Sequence, residues 1–200
     1  MNIQQAVQQI REGGFVAVTD DEDRENEADL VIAAQHITPE LMAFMIRNTS
    51  GIICIAMEEA RLKELELNLL RETDNTAHFG TPFTMPVDVK QNTRGGVSAE
   101  ERVQTVRALI DPDAKPDDFG RPGHVFPLRV HPEGLRGRLG HTEASIDLIR
   151  RAKCTPAAVI AELLNEDGSL MRGADLRDFL EKNKIPLVSV RELVEGEKQT

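Results

Sequence analysis

Apolar positions along this chain change period repeatedly, and the changes mark out its elements. Ile3, Ala6, Val7 and Ile10 fall on one helical face that Gly13-Gly14 ends. FVAVT at 15–19 and LVIAA at 30–34 are short apolar runs and predict buried strands, separated by a nearly all-polar stretch. Thr38-Pro39 reads as an N-cap and first-turn proline, opening a helix with Leu41, Met42 and Met45 inward. GIICIAM at 51–57 predicts a third strand, EEARLKELEL at 58–67 a short charged helix, and 81–89 a further strand. Ser98 with Glu101 fits a capping box, starting a helix through Val103, Val106 and Ile110. The Asp-, Pro- and Gly-rich stretch 111–123 predicts a loop, VFPLRV at 125–130 a strand, and 132–140 a second loop. A helix is expected from Thr142 to about Lys153, then strand AAVIAELL (157–164), turn NEDGS (165–169), helix ADLRDFLEKNK (174–184) and strand PLVSV (186–190). Strands alternating with helices predict an α/β class chain. The expected architecture is a single-domain layered sandwich over 1–200, with a mixed, partly parallel sheet flanked by helices.

Composition narrows what such a chain does. The 200 residues carry 24 Lys+Arg against 34 Asp+Glu, a net charge of −10. DDEDRENEAD at 20–29 holds seven acids and one Arg, so −6 of that charge is packed into ten positions. An acidic balance argues against nucleic acid and against anionic membrane as partners. No apolar run is long enough to span a bilayer, and MNIQQAVQQIREGG lacks the basic and apolar regions of a signal peptide, so the cytoplasm is the expected compartment. Cys54 and Cys154 are far apart with no metal-ligand spacing; buried reduced thiols are expected, with Cys54 a small core residue. Seven Phe without Trp or Tyr leave no Trp/Tyr platform for stacking sugars or bases.

Two constellations carry chemistry. The acidic run lies between two predicted strands, hence at a sheet end, where carboxylates must splay into water or share a cation: two unit charges about 4 Å apart repel by roughly 4 kcal/mol at an effective dielectric of 20. It is not an EF-hand, since counting from Asp21 the sixth position is Asn26 and the twelfth Ile32. A magnesium-type site asks only for one or two carboxylates with substrate oxygens and water. The counterweight runs from Arg121 to His141, with Arg121, Arg129, Arg136 and Arg138, the single acid Glu133, and three of the five histidines. Arg138, Gly140, His141 and Thr142 fall at a predicted helix start, where free N–H groups and an arginine form an anion pocket; the alternative is an ordinary N-cap beside a surface charge. His124, beside a Pro-Gly turn, suits acid/base work near neutral pH, and Glu162 interrupts an apolar strand, so it is either at a solvent-facing strand end or functional. His36, His78 and His131 are read as structural.

The segments DDEDRENEAD, RPGHVFPLR, GHTEASIDL and NEDGS, in that order, resemble the 3,4-dihydroxy-2-butanone 4-phosphate synthase family of riboflavin biosynthesis, from about Ile3 to Val194. The resemblance implies a lyase that converts D-ribulose 5-phosphate, a small sugar phosphate, to the four-carbon ketone phosphate and formate. It implies Mg2+ (or Mn2+) as cofactor, and a homodimer with sites at or near the subunit interface. It also implies a monofunctional form without a fused GTP cyclohydrolase II. Carried across by motif, Glu25 and His141 ligate metal. Arg24, Glu25, Asp29, Glu162 and the stretch Arg138, Leu139, Gly140, His141 and Thr142 bind substrate, and His124 and Glu162 are essential for catalysis.

Departures from the family pattern are Ala28 within the acidic motif, Leu139 before Gly140, Glu101 in place of Asp, and Arg94-Gly95-Gly96 where Thr-Thr-Gly is usual. The last motivates an alternative, a paralogue acting on a different sugar phosphate. A more distant alternative is a non-catalytic protein that binds metal or phosphate.

Overall fold

The computed structural model describes residues 3–21 and 23–197. Seven strands, β1 (Val16–Thr19), β2 (Ala28–Ala33), β3 (Cys54–Met57), β4 (Val87–Val89), β5 (Phe119–Arg129), β6 (Ala157–Glu162) and β7 (Leu187–Ser189), form a sheet in the order β4-β5-β3-β6-β2-β1-β7. β3 with β5 and β1 with β7 run parallel; the remaining pairs are antiparallel, so the sheet is mixed.

Helices cover both faces: α1 (Ile3–Arg11), α2 (Pro39–Asn48), α3 (Glu59–Glu64), α4 (Ala99–Ile110), α5 (His141–Arg151), α6 (Gly173–Asn183) and α7 (Val190–Glu197). Alternate strand residues point to opposite faces, and this sorts the core in two. Leu30, Ile32, Ile55 and Val159 join Met42, Met45, Val106 and Leu176 of α2, α4 and α6. Val31, Ala56 and Ile160 join Ile10, Ile146, Ile149 and Leu193 of α1, α5 and α7. Covered on both sides, β2 is buried throughout, which explains its unbroken apolar run. Each fully buried Leu, Ile or Val contributes about 1.5–3 kcal/mol; Asp29, in the middle of such a run, is the exception that calls for a reason.

The layered α/β architecture agrees with the sequence reading, as do the Thr38 cap and the Ser98–Glu101 capping box. Four local expectations are corrected. The stretch 111–123 is a loop only in its first half: β5 begins at Phe119 and runs through Gly120, Pro122 and Gly123. Those residues are tolerated because β5 bulges there, its pairing with edge strand β4 jumping from Val87↔Val125 to Asp88↔Gly120. The strand expected over 81–89 forms only at its end, with isolated bridges at Phe83 and Thr84. The cap of α5 is Gly140, not Thr142, which is the second residue of the helix. Finally, the chain turns helical at Val190 to make α7, where the sequence reading stopped at a strand. The signal was present: the Ser189 hydroxyl accepts from Glu192 N, and the Glu192 carboxylate accepts from Ser189 N.

Candidate active site

The acidic run is the turn of the β1–β2 hairpin, and one carboxylate organises it. Asp20, its side chain 1% exposed, accepts from Glu25 N and Glu27 N at 3.0 Å each and from Arg24 Nη1 at 2.7 Å. Arg24 also pairs with Glu25 at 2.7 Å and lies over the Phe79 ring. From the other side Arg172 donates to the carbonyls of Asn26 and Glu25. The turn is therefore held with Asp20 and Glu25 directed inward, whereas Asp23 stays in solvent. Glu22 lies outside the described residues.

Strand register then brings the remaining acids to the same end. Asp29 of β2 sits directly opposite Glu162 of β6. Like charges so placed repel, and Glu27, Asp29 and Glu162 have ligand atoms within 4.8 Å of one another. Burial first, and the negative charges of Glu162, Glu25 and Glu27 second, push the Asp29 carboxyl up to about 7, against an opposing pull from His141. Among the described residues its Oδ1 is buried without a hydrogen-bond partner. Ser50 donates to Glu162 Oε2 at 2.5 Å.

His141 opens α5 and faces the acids, 3.5 Å from Glu25 and 3.8 Å from Asp20. Burial alone would lower its pKa, but Asp29, Glu25 and Asp20 together raise it to about 9. Burial works the other way on Glu25 and Asp20, yet both carboxyls lie below the usual range, Asp20 through the Glu27 N–H, His141, the Glu25 N–H and Arg24, and Glu25 through His141 and Arg24. Asp20, Glu25 and His141 form a second group of converging ligand atoms.

Beyond His141 the character turns cationic. Arg138 donates to Glu143, whose side chain is fully buried, at 2.8 Å, and reaches the Phe79 carbonyl at 3.4 Å. A Cβ on Gly140 would meet Arg138 Nη1 at 2.2 Å, so only glycine lets the guanidinium fold back against the start of α5. The first-turn N–H groups of α5 stand beside it, a ready anion site.

A pocket of about 110 Å³ joins these parts, lined by Glu25, Asp29, Arg138, His141, Thr142 and Glu162 together with Cys54, Thr81 and Phe83. Six of the predicted residues thus meet. Arg24, Leu139 and Gly140 do not line the pocket; Arg24 holds the acidic turn, and Leu139 is 51% exposed. His124 also lies outside the lining, its side chain 44% exposed on the bulge of β5. Arg94 and Gly95 are exposed, and both N–H groups bind Glu101. Sequence reasoning missed the parts played by Asp20, Glu27, Ser50, Thr81 and Phe83, and the Asp88 carboxylate 2.7 Å from His124 Nδ1. It placed Cys54 in the core, where it is indeed buried, but at the pocket floor, its thiol pushed well up by burial, Glu162 and Asp29. Only Asp20 had a readable signal, an acid immediately after a strand; the others become visible once the sheet order is known.

Comparison with known proteins follows the same lines. Residues 4–196 match the family model described as 3,4-dihydroxy-2-butanone 4-phosphate synthase. The riboflavin biosynthesis protein RibBA of Cytophaga hutchinsonii is 47% identical over 97% of this chain, which spans 48% of that protein's length; other matched relatives are also spanned by half or less. The 3,4-dihydroxy-2-butanone 4-phosphate synthase of Edwardsiella ictaluri is 45% identical over 96% of this chain and 87% of its own. A crystal structure of such a synthase in complex with two magnesium ions superposes with a TM-score of 0.93 at 38% identity, covering 100% of this chain and 98% of that one. The synthase of Candida albicans gives a TM-score of 0.88 at 42% identity, covering 98% and 96%. With the family model matched over nearly the whole chain, and the acids, His141 and Arg138 converging on one pocket, this chain belongs to the 3,4-dihydroxy-2-butanone 4-phosphate synthase family.

Proposed function

We propose that this chain converts D-ribulose 5-phosphate to 3,4-dihydroxy-2-butanone 4-phosphate and formate, supplying riboflavin biosynthesis, with residues 1–200 acting as one synthase unit in the cytoplasm. The observation that carries the reading is a single pocket lined both by the carboxylates of Glu25, Asp29 and Glu162 and by Arg138, His141 and Thr142 at the start of α5. A sugar phosphate asks for that same combination, carboxylates or a cation for its hydroxyls and a cationic group for its dianion.

The donor set fits a hard divalent cation. Oxygen ligands with one imidazole converge, and His141 Nε2 and Asp29 Oδ1 are buried with no hydrogen-bond partner among the described residues. Glu25 and His141 would hold Mg2+ or Mn2+, with Asp20 and the Glu27/Asp29/Glu162 group close by. Bound there, the ion supplies Lewis-acid stabilisation of charge developing on substrate oxygens. The protein's own groups supply the rest. Arg138, braced by Glu143, and Thr142 hold the phosphate end; Arg24 keeps Glu25 in place. Asp29, buried opposite Glu162, is placed to take or return a proton, as several steps of an enediol, dehydration and cleavage sequence require. Glu162, directed by Ser50, and His124 complete the acid/base set.

The working unit is a homodimer in this reading. A cavity of about 110 Å³ is small beside the roughly 300–1,000 Å³ of ordinary small-molecule sites. His124 lies outside it, and Ile52 (48%), Met85 (36%) and Val97 (54%) are exposed apolar side chains. A second copy covers these and brings its His124 to the site.

The test is formate release from ribulose 5-phosphate with and without chelator, beside xylulose and ribose 5-phosphates. Metal-dependent turnover of ribulose 5-phosphate is expected. Absence of formate overturns the assignment, and preference for another pentose phosphate replaces the substrate. For the dimer, His124→Ala and Glu162→Ala chains are each expected to be inactive, and to regain activity when unfolded and refolded together; no regain assigns His124 to its own subunit.

A further inference from the structure

His124 owes its orientation to a defect in the sheet. Between Val87↔Val125 and Asp88↔Gly120, residues 121–124 of β5 have no opposite number on β4, so the His124 N–H is left without a ladder partner. Asp88 supplies it: Oδ1 accepts from His124 N at 2.9 Å, while Oδ2 lies 2.7 Å from His124 Nδ1. One carboxylate thus fixes both the backbone and the ring of the same residue.

The surroundings leave this pair little freedom. Val89 N donates to the buried Thr105 hydroxyl of α4 at 3.0 Å, tying β4 down one residue beyond Asp88. A Cβ on Gly123 would lie 2.0 Å from the Val87 carbonyl carbon, and one on Gly96 would lie 2.0 Å from Asp88 Oδ2. Glycine at both positions is what allows the bulge and the 94–97 turn to close on the carboxylate. Arg102 of α4 contributes a positive charge facing Asp88, and itself donates to the Gly51 carbonyl at 2.9 Å, next to the Ser50 that directs Glu162.

We infer that Asp88 is a positioning residue for His124, holding the imidazole in its Nδ1–H tautomer so that Nε2 faces outward as the basic nitrogen. A carboxylate only accepts hydrogen bonds, so the proton sits on Nδ1 whenever the ring is neutral. The inference rests on the reading of His124 as an acid/base residue, but its structural half stands without it.

Asp88→Asn separates the two. The amide oxygen still accepts from His124 N, which preserves the bulge, but the amide nitrogen can only donate to Nδ1, and that moves the ring proton to Nε2. In 15N-histidine spectra His124 is expected to switch from the Nδ1–H to the Nε2–H pattern, with an unchanged melting curve. Formate release should fall about 10²–10⁴-fold in kcat, with KM little changed. Asp88→Glu should recover part of the rate, and the limb of the pH–rate profile that depends on the free base should shift only in the Asp88 variants. An unchanged tautomer, or a rate loss matched by loss of folded protein, overturns the inference. A tautomer switch with full activity retained by both Asp88→Asn and His124→Ala overturns the catalytic reading instead, and leaves the dyad as a structural fact.

Discussion

Asp29 and Glu101 carry the same functional group and are shifted in opposite directions. Glu101 lies at the surface and accepts from the N–H groups of Arg94, Gly95 and Ser98 and from the Ser98 hydroxyl, which hold its carboxyl down to about 2. Asp29 is buried, faces Glu162, has one oxygen without a donor among the described residues, and rises to about 7. Hydrogen bonds to the charged form stabilise it, whereas burial among like charges removes that stabilisation. One carboxylate stabilises the start of α4; the other is kept in a state that costs stability and is available for proton transfer.

The largest effects should come from removing the contrast at Asp29. Asp29→Asn, or Glu162→Gln, is expected to lower kcat for formate release by about 10²–10⁴-fold. The same changes should stabilise the metal-free protein by about 0.5–2 kcal/mol, read from urea midpoints. The sign follows from linkage. With the Asp29 carboxyl at about 7 folded and 3.8 unfolded, the native state binds more protons between these values, so wild-type stability falls as pH rises through that window. The advantage of Asp29→Asn should therefore grow from pH 3.8 to about 7 and then level off. An advantage independent of pH would break the comparison.

Next in size is the cation. His141→Ala is expected to weaken Mg2+ binding by about 10–100-fold. Because His141 sits at about 9 without metal, binding at pH 7.5 should release about one proton, measurable by calorimetry in buffers of different ionisation enthalpy. Heats that do not depend on the buffer would show that His141 is not displaced from its proton.

Ser50→Ala sharpens the comparison from within the site. It strips Glu162 of the donor at 2.5 Å and makes it resemble Asp29. A hydrogen bond to a charged group is worth about 1.5–3 kcal/mol, so kcat should fall about 10-fold or more, with a small change in KM. The smallest effect is expected at Glu101. The stability lost in Glu101→Gln should be fully present above pH 4.5 and vanish as pH falls toward 2, since the folded carboxyl lies below its unfolded value. A difference that survives well below pH 2 would assign Glu101 a role other than as a charged acceptor.

Much of this was legible along the chain because it is local. Ser98 and Glu101 are three residues apart, Thr38 precedes Pro39, and β2 and β6 show as apolar runs broken only by Asp29 and Glu162. The segregation of acids at 20–29 and cations at 121–141 was visible too, although of those cations only Arg138 and His141 reach the pocket. The β5 bulge was not, because Gly120, Pro122 and Gly123 ordinarily break a strand. The partners of His124 and Glu162 were not either, because Asp88 and Ser50 are 36 and 112 residues away.

The sequence by itself determined most of the strands and helices and where the charged segments fall, since period, capping and composition act over a few residues. Only the tertiary structure decided what those residues become. Strand order sets Asp29 against Glu162, a bulge hands His124 to Asp88, and the start of α5 brings His141 to Glu25. Burial and the distance between charges exist only after the sheet has formed, and they turn ordinary carboxylates into groups with opposite behaviour.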